Sequence, residues 1–308
     1  MKRTAIIASI IVVLAAVAYV CLRPFPTSVT CSKEAPELLT DLPSRYVKMD
    51  STQIHYRAWG ADSDTAIVFV HGFGCDSRTW QQQYAFLADR TRFNLLFVDL
   101  PGYGLSTKLH TDYTLSYLAS AVRTVLLHEG IRQAVLIGHS LGTPVCRELA
   151  LEHSELVAAL MDIDGVYCFY EDASPEYLEA IEQFAAMFEG ADCQQHIAAF
   201  VGALSGPDTP EEITDYAMSV MPLTPEYVAA STMHHLIDPA YWTSETIDCA
   251  TTVICTENSG LEPDNANRMA ALYPNMADYI QLTTCGHFIH MEQPEIVNAS
   301  ILKLMEAL

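Results

Sequence analysis

The apolar positions of this chain fall into short continuous runs separated by stretches of helical spacing. Ala66 to Val70, Asn94 to Val98, Ala134 to Ile137 and Val157 to Ile163 are runs of this kind. A strand with one wet face alternates apolar and polar residues, so an unbroken run predicts a strand covered on both faces. Ahead of them, Tyr46 to Met49 and Gln53 to Trp59 alternate and predict a hairpin-like pair. Between the runs, helices are predicted over Thr79 to Ala88, Leu115 to Glu129 and Thr143 to His153. The pattern resumes with a strand at Thr251 to Thr256, a helix at Asn265 to Tyr273, a strand at Asp278 to Leu282 and a closing helix from Ile296 to Leu308. Strands alternating with helices predict an α/β fold with a mostly parallel, doubly wound sheet.

One stretch breaks the alternation. From Val166 to Thr246 no strand pattern occurs, and Pro175 to Phe188, Gln194 to Leu204, Pro210 to Met221 and Pro225 to Leu236 all have helical spacing. The expected organisation is therefore a core of residues 45–165 and 247–308 interrupted by a helical cap, 166–246. Residues 1–22 form an N-terminal segment and 23–44, with four prolines, a linker.

In the N-terminal segment, Lys2 and Arg3 precede an uncharged run from Ala5 to Leu22. Its length lies between a signal-peptide core and a spanning helix, and the preceding charges orient the body away from the cytoplasm. The expectation is a membrane-anchored protein facing outward, or a secreted or periplasmic one if the run is cleaved at Ala16-Val17-Ala18. The 308 residues carry a formal charge of −22, which excludes nucleic acid as a partner. The nine cysteines include no Cys-x-x-Cys pair and give no zinc signature. Disulfide pairing and oligomeric state are not encoded in any visible pattern.

The candidate chemistry sits where the run Ala134 to Ile137 ends in Gly138-His139-Ser140-Leu141-Gly142 and a helix follows. A Gly-x-Ser-x-Gly sequence at a strand-to-helix turn exposes a serine hydroxyl on a sharp bend. A neutral serine is a poor nucleophile, so it needs a base, an acid that orients the base, and amide donors for the developing oxyanion. Among eleven histidines, His287 follows the final strand and is the best-placed base. Phe73, after the strand ending in His71-Gly72, and Leu141, after the serine, are the candidate oxyanion donors.

These motifs resemble those of the α/β-hydrolase superfamily, in its capped esterase, lipase and peptidase-like branch. The resemblance covers Tyr46 to Leu308. His71-Gly72-Phe73-Gly74 is similar to the family's oxyanion loop, Asp99 to Ser106 to its loop after the fourth core strand, Gly138 to Gly142 to its elbow, and Gly286 to Glu295 to its histidine loop. One position departs from the pattern: where the family usually carries an aspartate after the strand at Thr251 to Thr256, this chain has Ser259. Some members place the acid after the preceding core strand, which matches Asp164. Asp164 ends a strand and precedes Gly165; Glu257, Glu262, Asp264 and Asp162 are the competing carboxylates.

The resemblance implies a serine hydrolase that cleaves a small-molecule carboxylic ester through an acyl-enzyme on Ser140, with no cofactor and no metal. Phe184, Met187, Phe188, Phe200, Met218 and Met221 either line an acyl pocket or simply pack the cap. An aminopeptidase or lactonase remains an alternative, with Glu171, Asp172, Glu176 and Glu179 available to meet a free amine. So does a non-catalytic binding protein on the same scaffold.

Overall fold

A computed structural model describes residues 35–60, 63–171, 173–257 and 265–306. The apolar run Ala5 to Leu22 lies outside them, as do Asp172, Ser259, Glu262 and Asp264. Among the described residues no helix is long and apolar enough to cross a membrane.

Eight strands form one sheet: β1 (Arg45–Met49), β2 (Thr52–Trp59), β3 (Thr65–Val70), β4 (Asn94–Val98), β5 (Gln133–His139), β6 (Val157–Ile163), β7 (Ala250–Thr256) and β8 (Met276–Leu282). Their order is β1-β2-β4-β3-β5-β6-β7-β8. β1 and β2 pair antiparallel, β2 joins β4 antiparallel, and every other pairing is parallel. This is the mostly parallel, doubly wound sheet expected from the runs. The helices flanking it are α1 (Gln81–Leu87), α2 (Leu115–His128), α3 (Gly142–Glu152), α8 (Asn265–Leu272), α9 (Ile289–Glu292) and α10 (Pro294–Glu306).

The continuous apolar runs have a direct explanation in this sheet. Along β3, Val68 and Val70 enter one buried cluster with Leu96, Val98 and Leu136. Their neighbours Ile67 and Phe69 enter a second cluster on the other face, with Leu95, Phe97, Val135 and Ile137. Alternate side chains thus serve two cores, and neither set can be polar. The second core also takes Leu39 and Leu42, both buried against it. The Leu39 N–H donates to Gln81 Oε1 at 2.8 Å, and Tyr84 Oη donates to the Pro36 carbonyl at 2.8 Å. The end of the proline-rich stretch expected as linker is therefore packed onto the body, because two leucines complete an apolar face.

Between β6 and β7 lie four helices, α4 (Pro175–Ala186), α5 (Cys193–Leu204), α6 (Glu211–Val220) and α7 (Glu226–Leu236). α4 starts as its sequence dictates: Pro175 takes the first turn, and Ser174 Oγ accepts the Tyr177 N–H at 3.1 Å. Ala185, Phe188, Ile197, Val201, Ala217 and Val228 bury into the first of the two cores.

The sheet order also places the site. After β3 the chain steps outward to β4, then returns to the far side of β3 for β5. Adjacent parallel strands whose connections leave in opposite directions open a crevice at their carboxyl ends. Those ends are His71-Gly72-Phe73 after β3 and Ser140 after β5.

Candidate active site

Ser140 sits on a backbone conformation that the neighbouring glycines make possible. Its φ is +52°, in the left-handed region that costs a non-glycine residue about 1 kcal/mol or more. Its N–H donates to the Ile163 carbonyl at 3.0 Å, so the bend is tied to the end of β6. A Cβ on Gly142 would stand 2.1 Å from the Val70 carbonyl oxygen, and one on Gly138 2.6 Å from the Gly142 carbonyl carbon. The two flanking glycines therefore let α3 start directly against the ends of β3 and β5. Ser140 itself is 8% exposed at the mouth of this turn.

Gly72 brings the loop after β3 alongside: a Cβ there would lie 3.0 Å from Ser140 Cβ. Among the described residues, neither the Phe73 N–H nor the Leu141 N–H is paired with an acceptor. His71 holds this loop in place. Its Nε2 accepts the Leu100 N–H at 3.0 Å, which leaves the hydrogen on Nδ1 to donate to the Gly72 carbonyl at 2.8 Å. Complete burial lowers its pKa, consistent with this neutral tautomer.

Asp164 and His287 meet across the carboxyl edge. Asp164 follows β6 with φ +46°, and its N–H donates to the Ile254 carbonyl at 2.7 Å. Its Oδ1 accepts the Thr256 N–H at 2.8 Å, and its Oδ2 lies 2.6 Å from His287 Nδ1. The carboxylate is 1% exposed and the imidazole 15%. Of the competing acids, Glu257 is exposed, and Asp162 is engaged elsewhere. An imidazole whose Nδ1 is held by a buried carboxylate presents Nε2 as its proton-accepting nitrogen.

Several polar residues hold these groups from behind. The His139 ring lies 4.7 Å from His287 and 4.4 Å from His290, and its Nε2–H donates to the His287 carbonyl at 2.9 Å. Burial drives His139 well below the ordinary histidine range and His290 to about 3, so both are neutral. The His287 N–H donates to the Leu204 carbonyl at the end of α5. Glu292 Oε2 accepts the Gly286 N–H at 2.8 Å and Thr209 Oγ1 at 2.9 Å, joining the histidine loop to the cap. Sequence reasoning did not single out Glu292. An acid five residues beyond a candidate base, two residues before the final helix, was its only signal.

Asp162 is fully buried within β6. Its Oδ1 accepts Thr143 Oγ1 at 2.9 Å and the Gly165 N–H at 3.1 Å, and its other oxygen accepts the Tyr167 hydroxyl. It thus ties the first turn of α3, three residues past Ser140, to the residue after Asp164. Burial pushes its pKa up to about 7 despite these donors. Asp99 is the opposite case. Burial opposes its charge, but the His55 hydrogen bond and the Leu105 N–H hold it down at about 2.

The remaining candidates separate into rings over the site and residues away from it. Phe73 packs edge-on with Phe188 at 5.3 Å, and Phe188 with Phe184 at 5.2 Å and Phe200 at 5.7 Å. Met187 and Met218 are 42% and 44% exposed and stand outside the buried core of the cap. They occupy the outer faces of their helices. Met221 is buried against Gly74. His234 pairs with Glu189. All seven described cysteines are free, and burial raises every one of their thiols. None is therefore an activated thiolate. A cavity of about 500 Å³ opens beside Gly74, Tyr103, Lys108 and Leu223, but Ser140, Asp164 and His287 do not line it.

The chain is similar in part of its sequence, and in its fold, to known proteins. Epoxide hydrolase 1 of Caenorhabditis elegans is 30% identical over 131 residues, 42% of this chain and 32% of that protein. The pimeloyl-[acyl-carrier protein] methyl ester esterase of Vibrio vulnificus is 30% identical over 154 residues, 44% of this chain and 57% of that protein. The match thus spans about a third of the first relative and just over half of the second. Among solved structures, the epoxide hydrolase CorEH superposes with a TM-score of 0.71 at 19% identity, covering 86% of this chain and 99% of that one, a likeness of fold. The alpha/beta hydrolase family model matches residues 67–300, from within β3 into the final helix, and includes Phe73, Ser140, Leu141, Asp164 and His287. The chain belongs to the alpha/beta hydrolase family.

Proposed function

We propose that this hydrolase cleaves carboxylic esters through an acyl-enzyme on Ser140. In this reading His287 takes the serine proton at Nε2 as the hydroxyl attacks the ester carbonyl. Asp164 fixes the tautomer and faces the imidazolium that results. The oxyanion meets the Phe73 and Leu141 amides, and the alcohol leaves with the proton from His287. Water then repeats the sequence on the acyl-enzyme and releases the acid. Every proton is handled by a side chain of this protein, so the reaction needs no cofactor.

The observation that carries the proposal is the 2.6 Å contact between buried Asp164 and His287 Nδ1, beside a serine held at φ +52°. The similarity to an epoxide hydrolase raises a second chemistry, and Ser140 argues against it. Attack of a serine hydroxyl on an epoxide carbon would leave an ether, which water activated by an imidazole does not cleave. Attack on a carbonyl leaves an ester, which it does. A serine at this position therefore suits acyl transfer.

Labelling by a fluorophosphonate probe tests the proposal. Wild-type protein should be labelled at Ser140 and lose p-nitrophenyl ester hydrolysis in proportion to labelling. An unlabelled protein, or one that is labelled elsewhere, ends this reading. The same assay on aminoacyl anilides and lactones separates ester cleavage from the peptidase and lactonase alternatives. Membrane fractionation of the full chain tests the further reading that Ala5 to Leu22 anchors it.

A further inference from the structure

Where the cap joins the core, a second cavity of about 330 Å³ lies between the chain leaving β6 and the chain returning to β7. Tyr167 to Glu171 line it on the outgoing side, Trp242 to Ser244 on the returning side, and α8 contributes Arg268, Ala271 and Leu272. Its volume suits a small organic molecule.

Its lining contains a buried cation that makes no ion pair among the described residues. Arg147, on α3, is only 3% exposed. Its Nη1 donates to the Tyr241 carbonyl at 3.2 Å, and Nη2 donates to the Thr243 and Glu245 carbonyls at 3.0 Å each. Its Nε is buried and finds no acceptor, and among the described residues Arg147 makes no ion pair. A guanidinium cannot shed its charge, so a buried one without an ion pair gives this wall of the cavity a positive potential that favours an anion. Arg268 brings a second positive charge, its guanidinium carbon 4.6 Å from the centre of the Phe169 ring.

Four aromatic side chains, Tyr167, Phe169, Tyr170 and Trp242, share the lining. Tyr167 stands 5.9 Å from Trp242 and 6.1 Å from Phe169, ring centre to ring centre. Flat apolar walls beside a guanidinium suit a flat molecule with a carboxylate at one end. Glu171, exposed in the same lining, disfavours a second negative charge on the ligand.

We infer that this cavity is a binding site for a small aromatic monocarboxylate, separate from Ser140 and His287. The ligand's carboxylate faces Arg147 and Arg268, and its ring lies against Tyr167, Phe169 and Trp242. The occupant touches both stems of the cap and the core at once. Nothing in this inference depends on ester chemistry.

Titration calorimetry of the full chain with phenylacetate tests it. The expected result is saturable one-to-one binding with a Kd of about 1 mM or tighter. Arg268→Gln should weaken binding at least about tenfold, the loss of one charge-assisted contact. Ala271→Trp, which places an indole in the opening, should abolish it. Both variants should melt at the wild-type temperature without ligand, since neither changes a buried residue. Arg147→Gln is not the decisive variant, because it also removes the pin on three carbonyls. Absence of saturable binding to the wild type overturns the inference, as does unchanged affinity in both variants. Inorganic phosphate binding as tightly as phenylacetate also overturns it, because a bare anion hole needs no aromatic walls.

Discussion

The carboxyl edge of the sheet and the four-helix cap above it are built by opposite rules. At the edge, each critical residue is fixed by backbone as much as by side chain. Ser140 and Asp164 both sit at positive φ, each tied by its own N–H to the neighbouring strand. Gly138 and Gly142 occupy positions where any Cβ would collide with main chain. Polar groups there are buried and hydrogen-bonded through Asp162, Asp99, His71 and the Nε2 of His139. The cap uses such pairing more sparingly, chiefly where Thr232 accepts the Tyr103 hydroxyl and Thr209 reaches Glu292. Its helices bury mainly apolar side chains, Met187 and Met218 reach solvent while Met221 and Met233 do not, and a cavity remains at its base. The difference separates two tasks. An edge over-determined by its backbone keeps reacting groups in one geometry, whereas a cap held by side-chain packing can change its lining without disturbing that geometry.

Substitutions at the edge should therefore destroy chemistry and leave folding alone. Ser140→Ala removes the nucleophile itself, with turnover of p-nitrophenyl acetate expected to fall on the order of 10³-fold or more. Its melting temperature should stay near wild type, because one small hydroxyl is removed. Near-normal turnover in this variant would break the comparison at its centre.

Asp164→Asn comes next. The amide can still reach His287 but can present a hydrogen where the imidazole needs an acceptor, and it cannot balance the imidazolium. A loss of up to about 10⁴-fold in kcat is expected. Glu257→Gln, altering an exposed acid beyond β7, should leave kcat unchanged. The reverse outcome would move the acid to the neighbouring strand.

How far the sequence disclosed each region follows from the same contrast. The edge was legible because backbone demands leave few residue choices. A run with no polar position needs two covered faces, and the glycines flanking Ser140 match positions that tolerate no side chain. The burial of Leu39 and Leu42 was not legible, since prolines around them mask an apolar pair whose partners, Trp80 and Tyr84, come much later in the chain. Cap helices were visible from their punctuation by proline and glycine, but not their orientation. Met187 and Phe188 are adjacent, yet one is exposed and the other buried. Only the packing partner, the Phe73 ring, decides between them.

Asp162 sharpens the comparison through pH. Its folded pKa of about 7 lies above the ordinary aspartate value, so folding favours its protonated form. The stabilisation is complete below about pH 4, where the unfolded chain is also protonated, and is lost as pH rises through 7. For a shift of this size the loss reaches up to roughly 4 kcal/mol. Asp162→Asn keeps acceptors for Thr143 and Gly165 and has no proton to lose. Its stability should thus decline less than wild type between about pH 5 and pH 8, as read from urea midpoints. Identical pH dependence in the two proteins would show that Asp162 is not the titrating group.

The smallest effects belong to the cap. Phe188 and Phe200 pack against Phe73, whose backbone amide is the proposed oxyanion donor, and Phe184 packs on both of them. Phe188 is fully buried and its loss would leave a void, which makes it a poor probe of selectivity. Phe184 and Phe200 are only partly buried, and truncating either opens space above the site with little cost to the fold. Phe200→Ala should shift preference from acetyl toward longer p-nitrophenyl acyl esters, with kcat/KM ratios changing by roughly 1–3 kcal/mol at most. Met187→Ala, on the outer face of the same cap, should change neither ratio nor rate. If Phe200→Ala behaves like Met187→Ala, the four rings are packing alone, and selectivity must come from another part of the cap.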